Sequence, residues 1–520
     1  MNQNFLAQWN KLKQLASNET LMDLKSLFAE DSKRVNDFSF EVEDIFIDFS
    51  KNWLNSTVLN HLLDLSKYAN LQDKINALFA GKNINSTENK PATHTAQRKQ
   101  QASKQILQDR QTMFDVAEKY TSGQWLTAFG KKVTAVVNIG IGGSYLGPKL
   151  AVQALSELQT NNHIKIYFYP CVDDTALKSI LNSIDLTRTL FCISSKSLGT
   201  IETIRNTESI DKLLQQTDGY KPESNQQSFV AATANIEKAA DFNIPATHVM
   251  MFDHATGGRF SVWSSIGFPV LMAIGKKKFT EFLSGAEKID KHFLETSIEN
   301  NIPVLMALIS VWYRNFMNLS AYAIIPYDIR LKNLPAWLQQ LMMESNGKMI
   351  DINGKHLSFS TSPWLFGEHG QLSQHAFFQA FHQGKDVLPI DFIGVIEQKS
   401  ESQDFLLINM LAQSAALMNG NDDGDEKQCY CPGNRPSTTI LLKEMSASSL
   451  GQLLALYEHM IFVQSVIWNI NCFDQPGVEL GKRIARNIVE HMQQDNIKYM
   501  NLDQSTEQLL SRVLGASNVE

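Results

Sequence analysis

The sequence predicts an α/β fold with mainly parallel sheets, on three observations. Short β-rich runs, "VTAVVNIG", "IKIYFYPCV", "TLFCISSKS", "SFVAATAN" and "HVMMFD", succeed one another from residue 133, each leading into a helix-like or turn-rich segment. They are continuously apolar rather than alternating, as strands covered by helices on both faces must be. A second series, "LSFSTSP", "VLPIDFIGVIE" and "STTILLKEM", returns after a helical section that begins near 276, so a second α/β domain is expected rather than an extension of the first.

In chain order, residues 1–105 read as a helical region, because "FLAQWNKLKQLA", "MDLKSLFAE" and "WLNSTVLNHLLDLSKYANL" repeat apolar residues at helical spacing. The polar "GKNINSTENKPATHTAQRKQ" marks a loop at its edge. Residues 106–275 then make a first, smaller domain, 276–500 a second, larger one with closing helices, and 501–520 a tail. The run "IPVLMALISVWY" is too short to span a bilayer and suits a buried core helix. The acidic "NDDGDE" near 421 reads as a solvated loop.

Composition narrows the classes. With 520 residues, 43% of them hydrophobic and 19% charged, the chain can bury a large core. A net charge of −7 with scattered Lys and Arg argues against nucleic-acid binding. Cys171, Cys192, Cys429, Cys431 and Cys472 form no disulfide framework, which points to a reducing compartment, and "CYC" lacks the second pair of a zinc site. The opening "MNQNFLAQWNKLKQLASNET" has no apolar centre of a signal peptide, so a cytoplasmic protein without a membrane partner is expected.

Ligands of parallel sheets sit beyond the carboxyl ends of the strands. There "VVNIGIGGSYLGPKL" carries Gly140, Gly142, Gly143, Ser144 and Gly147. The dinucleotide fingerprint fails because Tyr145 stands at its third glycine, and a P-loop fails because Pro148-Lys149 replaces Lys-Ser/Thr. What remains is a loop whose backbone can approach an anion, with Ser144 at the mouth of the next helix; a tight strand–helix turn would look the same. A second loop, "FCISSKSLGTIETIRN", runs a buried strand into Ser195, Lys196, Ser197 and Thr200 at a helix start. Hydroxyls, an ammonium and backbone N–H groups can satisfy the outer oxygens of a phosphate monoester without a metal, whereas ordinary N-capping explains only one hydroxyl.

Groups for chemistry lie elsewhere. Glu344 in "LMMESNGKMI" is a carboxylate among apolar residues, a setting that favours a proton-shuttling base. In "GEHGQLSQHAFFQAFHQG", His375 and His382 are spaced to share one face of a helix, with His369 upstream, and the run offers no third zinc ligand. Arg259 follows two glycines in "TGGRFSVWSSIG", and "NCFDQPGVELGKRIA" supplies Gln475 and Lys482, the latter on a helix. A surface salt bridge would account for the arginine and solvation for the lysine. Together these parts suit proton abstraction beside a carbonyl of a phosphorylated metabolite, with no cofactor and no metal.

In "NIGIGGSYLGP", "SKSLGTIET", "GGRFSVWSSIG", "MMESNGK", "SQHAFFQAFHQG", "PGNRPSTTI" and "YEHMIFVQSVIWNINCFDQPGVELGK" the chain resembles the phosphoglucose isomerase family over nearly its whole length. The resemblance implies two α/β/α sandwich sugar-isomerase (SIS) domains, a helical N-terminal region on the larger one, and a homodimer. It implies reversible isomerisation of glucose 6-phosphate and fructose 6-phosphate, in glycolysis and gluconeogenesis, through a cis-enediol. By motif, Glu344 would move the proton between C2 and C1, Arg259 would stabilise the enediolate, and His375, donated by the partner subunit, would assist ring opening with Lys482. Ser195, Lys196, Ser197 and Thr200 would hold the phosphate, Gly143 and Ser144 would border the sugar, and Gln340 and Gln475 would contact it.

Three stretches depart from the family. "SKSLGT" stands where many relatives have "SKTFTT", so Gly199 replaces a hydroxyl; "HTAQRKQ" strays from "LHxALR"; and a proline follows Gln475. An isomerase that also accepts mannose 6-phosphate is a neighbouring reading. A non-catalytic sugar-phosphate sensor is a more distant one, since it would have no need of Glu344, Arg259, His375 and Lys482 together.

Overall fold

The computed structural model describes residues 2–17, 23–160, 163–397, 400–421, 427–493 and 502–515. It divides into two units, Met1–Phe473 and Asp474–Glu520. In the first unit the strands are β1 (Ser39–Val42), β2 (Ile45–Asp48), β3 (Ala135–Ile139), β4 (Lys165–Tyr169), β5 (Thr189–Ser194) and β6 (Phe229–Thr233). They continue with β7 (Val249–Met251), β8 (Ala321–Pro326), β9 (Trp364–Phe366), β10 (Ile390–Val395) and β11 (Ser437–Leu442).

The β-rich runs from 133 become one parallel sheet, ordered β4-β3-β5-β6-β7. Every residue of β3, β5 and β6 is buried, which is why these strands read as unbroken apolar runs. Parallel pairing brings the loops after β3, β5 and β6 to one edge.

The second sheet, ordered β1-β2-β11-β10-β8-β9, is parallel from β8 to β11. Its other edge adds a hairpin to residues 1–105, which are otherwise mainly helical as expected. Beside helices such as Gln3–Leu15 and Ser56–Tyr68, that region forms the hairpin β1–β2, whose second strand pairs antiparallel with β11. Val42, Ile45 and Ile47 are buried while Glu41 and Phe46 are exposed, so alternation was the signal. "LSFSTSP" is irregular rather than a strand. Its carbonyls at Thr361 and Ser360 accept from Arg314 Nε at 2.6 Å and Asn315 Nδ2 at 2.7 Å instead of from a ladder, and the strand β9 begins just after it. The acidic stretch at 422–426 and residues 516–520 of the expected tail lie outside the described residues.

Two long helical segments, Phe268–Glu295, which is broken by a kink at Gly275, and Ala447–Trp468, run through the core. The second is long and apolar enough to cross a membrane, yet 94% of that window is buried in protein. Their close approach depends on missing side chains: a Cβ on Gly285 would lie 2.0 Å from Ser448 O, and one on Gly451 2.1 Å from Phe282 O. "IPVLMALISVWY" is a fully buried helix, Ile302–Val311, followed by a wider π-turn.

A buried charge cluster ties the N-terminal region to both long helices. Arg98, wholly buried on His94–Arg98, donates from Nε and Nη2 to Asp290 at 2.8 and 2.5 Å and from Nη1 to Glu458. His459 Nε2 lies 2.7 Å from Asp290, and Trp263 Nε1 donates to Glu458 at 2.9 Å. Burial alone would raise the Asp290 carboxyl, but the guanidinium overrides it and holds it at about 2. Removing one partner of such a cluster leaves uncompensated buried charge. Arg98→Ala should therefore lower stability by about 3–5 kcal/mol in urea unfolding, and a loss below about 1 kcal/mol would contradict this role.

Candidate active site

The glycine loop after β3 crosses the segment that carries Arg259. Gly142 has φ +60, and Gly142–Ser144 makes one tight turn before the helix Leu146–Ala154. A Cβ on Gly143 would lie 2.1 Å from the carbonyl carbon and oxygen of Gly258 and 2.5 Å from Arg259 N. No side chain fits there, so the two backbones touch. Asn138 within β3 fixes the loop by donating to Ser144 O at 3.0 Å and accepting from Ser194 Oγ at 2.6 Å. Gly142 also borders Gln340, whose Nε2 would lie 3.0 Å from a Cβ at that position.

Arg259 is a buried arginine, not a surface one. Nε donates to Ser345 Oγ and Nη2 to Cys472 O, each at 2.6 Å, which leaves Nη1 3.4 Å from Glu344 Oε2. Glu344 closes a π-turn, Gln340–Glu344, that widens the end of the helix Leu334–Gln339. Such turns recur at functional sites. Gln340 Nε2 donates to the same Glu344 oxygen at 2.9 Å, and Gln340 Oε1 is buried with no partner among the described residues. The carboxylate thus meets a cation and an amide, and the neighbouring Met342 is turned into the core.

The hydroxyl loop stands at the end of β5, beside the glycine loop: a Cβ on Gly140 would lie 2.7 Å from Ser194 O. Ser195 Oγ accepts from Leu198 N and Ser197 Oγ from Gly199 N, both at 3.2 Å. Each hydroxyl keeps its proton free to donate. Thr200 precedes the helix Ile201–Gln215 without capping it by its side chain. Leu198 is left-handed, with φ +48, and packs into the core, so Ser197 and Gly199 face outward. Burial draws the Lys196 ammonium below the ordinary lysine range, partly offset by Glu88; Arg259 is near enough to add to the lowering.

The two-histidine helix is corrected. The helix Gly370–Gln374 stops at His375, and Phe377 begins a separate one, Phe378–Gln383, so His375 and His382 do not share a helical face. Phe377, Phe378 and Phe381 pack together at the break. His375 is exposed, with no side-chain partner among the described residues, and His382 Nε2 lies 3.1 Å from Gln413 Oε1. In the second unit, Gln475 precedes the helix Pro476–Gln493 and Lys482 lies on it, exposed, with Nζ 2.9 Å from Glu479.

Ser345, the Cys472 carbonyl, the Gly258 backbone and Glu88 were not singled out by the sequence, because each acts from a distant segment. The crossing itself can be tested. Gly143→Ala must separate the two loops and should cost about 1–3 kcal/mol in unfolding free energy. Gly258→Ala, whose Cβ would meet nothing within 4 Å, should leave the unfolding midpoint unchanged. Equal effects of the two substitutions would contradict the contact.

Comparison with known proteins bears on this arrangement as a whole. Residues 48–510 match the family described as phosphoglucose isomerase. The chain is 41% identical over 520 residues to glucose-6-phosphate isomerase 1 of Chromohalobacter salexigens, covering 97% of this chain and 94% of that protein. It is 41% identical over 528 residues to the glucose-6-phosphate isomerase of Francisella tularensis subsp. tularensis, covering 95% and 97%. The crystal structure of a glucose-6-phosphate isomerase from Chlamydia trachomatis superposes with a TM-score of 0.86 at 31% identity, over 97% of this chain and 98% of that one. Family model, relatives and fold agree over nearly all of the chain: it belongs to the phosphoglucose isomerase family.

Proposed function

We propose that this chain interconverts glucose 6-phosphate and fructose 6-phosphate as a cytoplasmic homodimer, with residues 106–275 and 276–500 acting as its two sugar-isomerase domains. The observation that carries the reading is the Arg259–Glu344 pair, seated where the glycine loop crosses Gly258 and beside the hydroxyl loop. Ser195, Lys196, Ser197 and Thr200 hold the phosphate, Gly143 and Ser144 border the sugar, and binding energy gained there positions C1 and C2. Gln340, whose buried Oε1 has no partner among the described residues, and Gln475 contact the sugar hydroxyls.

Once the ring is open, the carbonyl acidifies the neighbouring C–H, and the Glu344 carboxylate takes the C2 proton. The negative charge passes to O1 of the enediolate, the same carboxyl group returns a proton to C1, and the C2 hydroxyl gives up its proton as the ketone forms while O1 takes one up. Arg259, held by Ser345 and the Cys472 carbonyl, stays in place when the carboxylate turns to substrate. A preorganised donor of this kind contributes on the order of 3 kcal/mol to stabilising the developing charge. His375 and Lys482 assist ring opening. His375 serves the partner's site, a role supported by its exposure beside Leu372 and by the exposed apolar Trp364, Phe405, Ile408 and Leu411, which suit a subunit interface.

Glu344→Gln should still bind fructose 6-phosphate but lose about a thousandfold in kcat. His375→Ala should also be inactive. Equal mixing of the two variants gives one intact site in half of the dimers, so about a quarter of wild-type activity should return. Normal turnover by Glu344→Gln refutes the base, and no recovery despite subunit exchange refutes the shared site.

A further inference from the structure

We propose that Lys238 is a further phosphate ligand, reaching into the room that Gly199 leaves in the hydroxyl loop; this rests on the phosphate-loop reading above. At 199 this chain has no side chain. A Cβ at that position would stand 3.4 Å from Lys238 Nζ and 3.4 Å from Ser197 Oγ. The ammonium and the hydroxyl therefore border one small space on the open side of the loop.

The placement follows from the sheet. Lys238 lies on Ile236–Ala240, just after β6, and β6 pairs parallel with β5, so the two following loops are neighbours. They are joined at Lys196, whose carbonyl accepts from Ala234 N at 3.0 Å and Thr233 Oγ1 at 3.2 Å. Asn235 fixes the start of the short helix by accepting from Lys238 N at 3.1 Å. The Lys238 side chain is exposed and pairs with no carboxylate among the described residues, whereas Lys196 is half-buried and faces Glu88. A phosphate monoester is close to dianionic at neutral pH, so two ammonium groups match it better than one. Lys238 thus adds a second positive charge at the space that Gly199 leaves open.

The test is inhibition of fructose 6-phosphate turnover by inorganic phosphate at low ionic strength, with Lys196→Met as the reference for the loop. Lys238→Met should raise the phosphate inhibition constant and KM about tenfold while kcat stays within about twofold, and Lys238→Arg should retain most of the affinity. The Cβ added by Gly199→Thr meets only ordinary contact distances, and the new hydroxyl should restore part of the affinity lost by Lys238→Met. If Lys196→Met weakens phosphate and Lys238→Met does not, the role of Lys238 is overturned and the loop reading stands. If neither substitution moves the inhibition constant, the loop is not the phosphate site and both readings fall.

Discussion

The site depends on one backbone contact. Gly143 touches the backbone of Gly258 because Gly143 carries no side chain at the crossing, and this joins the loop after β3 to the segment bearing Arg259. From that contact the rest follows in short steps. Arg259 has one backbone flank fixed by Gly143 and its guanidinium fixed by Ser345 and Cys472, so its remaining nitrogen faces Glu344. Gln340 borders Gly142 on one side and binds Glu344 on the other. Four separate stretches of chain thus meet with little freedom, which is what preorganisation requires.

The charge cluster around Arg98 supports the same geometry from behind. Glu458 holds both Arg98 and Trp263, and Trp263 lies four residues after Arg259. The helix Ala447–Trp468 that carries Glu458 leads into Cys472, whose carbonyl holds the arginine. One core helix therefore anchors the Arg259 segment twice. Such a buried ionic cluster stabilises little compared with a well-packed apolar core, but it tolerates no partial removal, so it acts as a positional lock.

Much of this was legible in the sequence because the informative features are local. Unbroken apolar runs marked the parallel strands, and each candidate loop stands next to its strand, so "SKSLGT" and "GIGGS" could be picked out from residue order alone. Features that depend on distant pairing were not legible. The hairpin β1–β2 has only four residues per strand and gains its support from β11, almost four hundred residues later. β8 is a buried run directly after a helical stretch, where periodicity cannot separate the two. The break between His375 and His382 is set by phenylalanine packing, not by spacing. Glu344 was expected among methionines, yet its partners Arg259 and Gln340 come from the fold and from one helical turn back.

The central claim is that a hexose phosphate lies extended from the hydroxyl loop to Glu344, past the Gly143–Gly258 crossing. A crystal structure with a bound open-chain six-carbon phosphate analogue tests this most directly. The phosphate should lie on Ser195, Ser197 and Thr200, with the Glu344 carboxylate in contact with the first two carbons. A phosphate bound elsewhere, or those carbons out of reach of Glu344, would contradict it.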